Sequence, residues 1–180
     1  MTEPSKSLLF QNHFLTSYGA FYAMWATIEL ILSYGITKYL NISEEDGHIV
    51  TSGMEFGRKI TLLRNLVYKS KNPNKKKLIS VLSKIQNESK RNVFAHSFVT
   101  STEPTVTFVE RSRGGDYKVT RHPYTDKEFF ARATNVSESA AQLEQLLEMK
   151  QEDHMRFMKA AFSAETSSLK SPEPPKESAE

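Results

Sequence analysis

A chain of 180 residues, 25% charged and 38% hydrophobic, has the size and composition of one soluble domain with a real core and room for a tail. Its formal net charge of +3 permits a nucleic-acid partner without demanding one. With no cysteine, disulfides, thiolate metal sites and cysteine nucleophiles are excluded, and a reducing cytoplasm is the expected compartment.

The opening Thr2-Glu3-Pro4-Ser5-Lys6 is polar and mixed in charge and does not read as a signal segment. A first helix is expected over 9–40. Its Phe14, Tyr18, Phe21, Trp25, Ile28 and Leu32 step by three and four, and Tyr22, Met24, Leu30, Ile31 and Tyr34 make the other faces apolar as well. A helix apolar all round belongs inside a bundle or between a bundle and a partner. Glu29, Ser33 and Gly35 interrupt the tract, which argues against a membrane span, and Gly35 marks a candidate break. Glu29 is the odd residue there: a carboxylate among apolar side chains needs a partner, an arginine such as Arg91, or a route to solvent.

The stretch 41–50 reads as a loop, acidic at Glu44-Glu45-Asp46 and turned by Gly47. Ser52-Gly53-Met54-Glu55 has the form of a capping box, opening a second helix with Phe56, Ile60, Leu63 and Val67 on one face and an end by Lys71. The run Lys69, Lys71, Lys75, Lys76 and Lys77 reads as a solvated corner. Asn72-Pro73 supplies a cap and a first-turn proline for a third helix that continues to His96. Its buried stripe, Leu78, Leu82 and Ile85, continues as Ser89, Asn92 and His96. A greasy stripe that turns polar is expected to open on water, a cavity or a partner.

Beyond the third helix the period changes to two. Residues 105–110 and 116–120 are β-like runs joined through Arg113-Gly114-Gly115, so a small β-hairpin is expected over about 98–122. Arg111, Arg113, Lys118 and Arg121 decorate it and are candidate RNA contacts, although a polar hairpin also needs charges for solubility. Thr125-Asp126-Lys127-Glu128 is a second capping box, opening a long last helix with Phe129, Ala133, Val136, Ala140, Leu143 and Leu147 inward. The expected fold is thus mainly α, an antiparallel bundle of about four long helices with the hairpin inserted before the last one. It forms a single domain over 1–164, followed by a Ser-, Glu-, Lys- and Pro-rich disordered tail over 165–180. His13, His48, His122 and His154 lack metal-ligand spacing and no nucleotide-binding glycine loop occurs, so neither metal nor cofactor is expected.

The chemistry concentrates in Arg91-Asn92-Val93-Phe94-Ala95-His96. Histidine exchanges a proton near neutral pH, arginine is a permanent cation with a fork for phosphate oxygens, and an amide can orient either. Asn92 and His96 share a helix face, whereas Arg91 and His96 diverge by about 140°. The two converge if the arginine wraps round, if the helix ends near Ala95, or if a second copy completes the site. The plainer reading is that an arginine and a histidine near a helix C-terminus cap carbonyls and suit its dipole.

An arginine, a polar residue and a short spacer to histidine, late in a helix of a helical chain, resembles the signature of the HEPN superfamily. Ser97 stands where a glycine often follows the histidine. The resemblance implies a small helical bundle, often a toxin or defence protein, that cleaves RNA without a metal as a homodimer. It assigns catalysis to Arg91, Asn92 and His96 and to nothing else; Glu29, odd on its apolar helix, and Ser97, next to the histidine, are added as supporting residues from their positions in the chain. It also brings RNA, a second copy and a protein antitoxin or regulatory partner as expected partners, with no membrane. The alternative is a non-catalytic HEPN-like binding or assembly module in which the trio fixes a helix end or an interface.

Overall fold

The computed structural model describes residues 6–88, 90–102, 105–111 and 118–168. The chain is mainly helical, with one small three-stranded antiparallel sheet. Helix α1, Lys6–Leu40, is the axis of the fold and packs against α2 (Glu44–Ser52), α3 (Phe56–Lys69) and α6 (Asp126–Leu146). Helix α4, Lys75–Glu88, packs against α3 and α6, and α7, Gln151–Ser168, packs against α2. The short α5, Arg91–His96, leads into β1 (Phe98–Thr102), β2 (Thr105–Arg111) and β3 (Val119–Thr125).

The apolar period of α1 is explained by its neighbours. Phe21, Trp25, Ile28, Ile31, Leu32 and Ile36 are buried, and every residue of 31–37 is enclosed. The His13–Leu40 part of α1 is long and apolar enough to cross a membrane by length and composition only, and half of that window is buried against α2, α3 and α6. Its buried Ser33 and Thr37 donate to the carbonyls of Glu29 and Ser33, each at 2.9 Å, so neither hydroxyl is left unsatisfied. The helix continues through Gly35, the candidate break. A Cβ there would come within 3.0 Å of Leu63 Cδ2 and 3.1 Å of Leu147 Cδ1, so the glycine serves close packing.

Several expected boundaries move. The stretch read as a loop over 41–50 holds α2, capped by Ser43, whose Oγ accepts from the Asp46 N–H at 3.1 Å. The acidic Glu44, Glu45 and Asp46 occupy its first turn, where negative charge favours a helix over a loop. Gly47 is buried at the crossing with Thr37 of α1 and makes no turn. The expected capping box at Ser52 is absent: Ser52 ends α2, and α3 starts after Glu55, whose side chain makes no cap hydrogen bond. The third helix is interrupted before the motif, because Lys90 adopts a left-handed φ of 48° and α5 starts afresh at Arg91. Ser89 lies outside the described residues, and Asn92 and His96, expected to continue the α4 stripe, belong to α5 instead.

Where a small hairpin was expected, the described residues hold a three-stranded antiparallel sheet of order β1-β2-β3. β1 pairs with β2 from Phe98↔Val109, and β2 pairs with β3 from Thr105↔Thr125 to Arg111↔Val119. Thus β3 lies later in the chain than the predicted 116–120 run, and the predicted turn at Arg113-Gly114-Gly115 lies outside the described residues. Val106 and Phe108 of β2 point into the core. The capping box at Thr125 forms as expected, with Thr125 Oγ1 accepting from the Glu128 N–H and Glu128 accepting from the Thr125 N–H at 2.8 Å. The last long helix is two helices: Glu148, at φ 53°, turns the chain back so that α7 covers α2. α7 continues to Ser168, and the remainder of the expected tail lies outside the described residues.

Candidate functional site

The middle of the motif fastens α5 to the core. Phe94 is fully buried, with its ring 4.7 Å from Phe108, 5.2 Å from Phe21 and 5.3 Å from Phe129. The Tyr18 hydroxyl donates to the Phe94 carbonyl at 2.8 Å. Burial raises the Tyr18 pKa well above the usual phenol value, helped by its contact with Tyr22, so this donor keeps its proton. A helix of six residues is short for independent stability, and this anchorage holds it.

With Phe94 inward, the ends of α5 face elsewhere. Arg91 reaches back to α1, its Nη2 3.8 Å from Glu29 Oε1. The same oxygen accepts from Trp25 Nε1 at 3.1 Å. Arg91 and Glu29 side chains are 31% and 33% exposed, so the pair itself contributes less than about 1 kcal/mol, and its main effect is to orient the guanidinium. Arg91 Nε is buried and has no hydrogen-bond partner among the described residues, as is Ser97 Oγ at the other end of the helix. Asn92 and His96 are exposed, one turn apart on a common helical face.

The sheet extends this surface. Paired residues on neighbouring strands point to the same side, so the row Phe98, Val109, Arg121 lies opposite the row that carries Phe108 into the core. Arg121 therefore sits two strand spacings, roughly 10 Å, from Phe98, two residues after His96. Arg111 belongs to the same outward face, with its guanidinium 4.2 Å from the Phe98 ring centre. Phe98 is 57% exposed, an aromatic with a guanidinium over its ring two residues after His96. Lys118 is exposed just before β3, and Arg113 lies outside the described residues.

The sequence named Glu29 and the motif residues, and the fold brings Glu29 to Arg91. The sequence reading overlooked Trp25 as the indole donor to Glu29, Tyr18 as the latch on α5, and Lys59. Lys59 is only 8% exposed, and burial lowers its pKa, opposed in part by the nearby Glu29 charge. A signal for it existed: three residues after Phe56 and four before Leu63, it falls on the apolar stripe of α3. No group of three or more metal-binding side chains occurs among the described residues. The chain matches no family model, no curated protein and no solved structure.

Proposed function

We propose that this chain is a HEPN-like, metal-independent endoribonuclease of the cytoplasm, a toxin or defence protein whose active site is completed in a homodimer. In this reading α1, α3, α4 and α6 are the antiparallel bundle, a single domain spans 1–164, and a protein antitoxin or regulator restrains the enzyme. His96 takes the proton of a 2′-hydroxyl as that oxygen attacks the adjacent phosphorus. The 5′-oxygen leaves with a proton from His96 of the second copy, giving a cyclic phosphate and a free 5′-hydroxyl. Arg91 stabilises the charge on the pentacoordinate phosphorus, and Asn92 orients the imidazole or a phosphate oxygen. Arg111, Arg113, Lys118 and Arg121 hold the flanking backbone, and Ser97 closes the helix end.

The observation that carries the reading is the division of labour within α5: Phe94 is buried, Arg91 is aimed by Glu29, and Asn92 and His96 are exposed. Docking of Arg91 on Glu29 equally favours a second reading, a non-catalytic HEPN-like module in which the ion pair fixes α5 for assembly. Purified wild type, His96→Ala and Arg91→Ala, incubated with structured and unstructured RNA in EDTA, separate the two. The nuclease reading expects cyclic-phosphate ends with the wild type and a loss of about a hundred-fold or more in each variant. Equal survival of RNA with all three proteins rejects it, and a dimer by light scattering in that case supports the assembly module.

A further inference from the structure

A cleft of about 460 Å³ opens where α1, α2, α3 and α7 meet; it shares Glu29 with the Arg91 contact but does not rest on the nuclease reading. Leu30, Ile49 and Ala161 form its apolar side, and Glu29, Lys59 and His48 are among its polar groups. That volume lies within the range usual for small-molecule sites.

The hydrogen-bond inventory defines what fits. Ser33, Thr51 and Ser52 also face the cleft, but their hydroxyls donate to the carbonyls of Glu29, Gly47 and Ile49 at 2.9, 2.8 and 3.1 Å. They retain only acceptor capacity. His48 Nε2 donates to the Phe157 carbonyl at 2.6 Å, and the ring stacks on Phe157, so its second nitrogen is an acceptor when the ring is neutral. Glu29 is already engaged by Trp25 and Arg91. Among the described residues lining the cleft, Lys59 therefore holds the uncommitted side-chain donors. Its side chain is mostly buried but its Nζ is not sealed off, and among the described residues no carboxylate comes within 4.0 Å of it, the nearby Glu29 charge acting from further away. A mostly buried ammonium with no hydrogen-bond partner gains a charge-assisted hydrogen bond from an anionic acceptor placed beside apolar surface.

The geometry points to a binding site for a small apolar carboxylate, its carboxylate accepting from Lys59 and its hydrocarbon lying against Leu30, Ile49 and Ala161. The site is a matched pair of surfaces, one charged donor at the polar end and aliphatic wall beside it. A ligand with an ammonium in place of the carboxylate would meet Lys59 as a like charge.

Octanoate below its micelle concentration, with octan-1-ol and octylamine of equal chain length, tests this by isothermal titration on the full chain. The expected result is one octanoate per chain, with binding weaker for octanol and absent for octylamine. Lys59→Met lowers octanoate affinity about ten-fold or more, and Lys59→Arg keeps most of it. Circular dichroism melts of both variants establish that they fold. Should Lys59→Met fail to fold, isotope-edited contacts from octanoate to the Leu30, Ile49 and Ala161 methyls in the wild type serve instead. Absence of octanoate binding, unchanged affinity in folded Lys59→Met, preference for octylamine, or contacts to other methyls each overturn the assignment.

Discussion

Replacing Gly47 by alanine adds one methyl group at the crossing of α1 and α2, and the structure states where it goes. The new Cβ would lie 2.0 Å from Thr37 Oγ1, 2.7 Å from Thr37 Cγ2 and 2.8 Å from Thr37 Cβ, all well inside contact distance. Thr37 is buried and its hydroxyl donates to the Ser33 carbonyl at 2.9 Å, so rotating it out of the way breaks a buried hydrogen bond. In an exposed helix the same change would stabilise by about 0.5–1 kcal/mol, because alanine loses less backbone freedom than glycine. Overpacking costs about 1–3 kcal/mol, and the lost hydrogen bond adds roughly 1 kcal/mol. The steric and polar terms win, for a net loss of about 1–3 kcal/mol. Urea unfolding followed by far-ultraviolet circular dichroism measures it, at unchanged slope. In the double variant Thr37→Ala, Gly47→Ala, the contacts to Oγ1 and Cγ2 vanish while the Cβ contact remains, so part of the loss returns. A single Gly47→Ala variant as stable as the wild type, or more so, would refute the close approach of the two helices.

Two further outcomes are expected. Phe94→Ala removes a fully buried ring that touches Phe21, Phe108 and Phe129, and unfolding experiments should show a loss of about 3–5 kcal/mol, with Phe94→Leu costing clearly less. The Glu128 carboxyl is held below its usual 4.5 by the Thr125 backbone N–H and then by the Thr125 hydroxyl. Its folded-state pKa is thus the lower one, so its contribution is fully present above about 4.5 and fades as pH falls through the folded-state value. Glu128→Gln should therefore flatten the acid limb of a stability-against-pH curve, and an unchanged limb would count against the capping box as a source of acid sensitivity.

Legibility in the sequence followed the range of the interactions involved. The capping box at Thr125 was readable because it is closed within four residues by groups that chemistry pairs uniquely. The same pattern at Ser52 misled, since Ser52 is claimed by the end of α2 and the chain turns before Glu55. The acidic run at Glu44 looked like a loop because acids with a glycine suit turns. The same acids suit a first helical turn, and the neighbouring Thr37 decides why position 47 is glycine. The site divides in the same way. Arg91, Asn92 and His96 stood out by residue type, and Glu29 by its oddity on an apolar helix. The break at Lys90, the latch from Tyr18 and the burial of Lys59 depend on the tertiary fold.

By itself, then, the sequence determined the helical class, the buried axis along α1, the cap of α6 and the residues able to do chemistry, because periodicity and local hydrogen bonding act over a few residues. Only the tertiary structure decided which way those residues face. The turn at Lys90 separates α5 from α4, Phe94 sinks into an aromatic core assembled from α1, β2 and α6, and Arg91 is thereby delivered to Glu29. Contacts between elements so distant in the chain are set by how the helices and sheet close on one another, and no local pattern of residues encodes that closure.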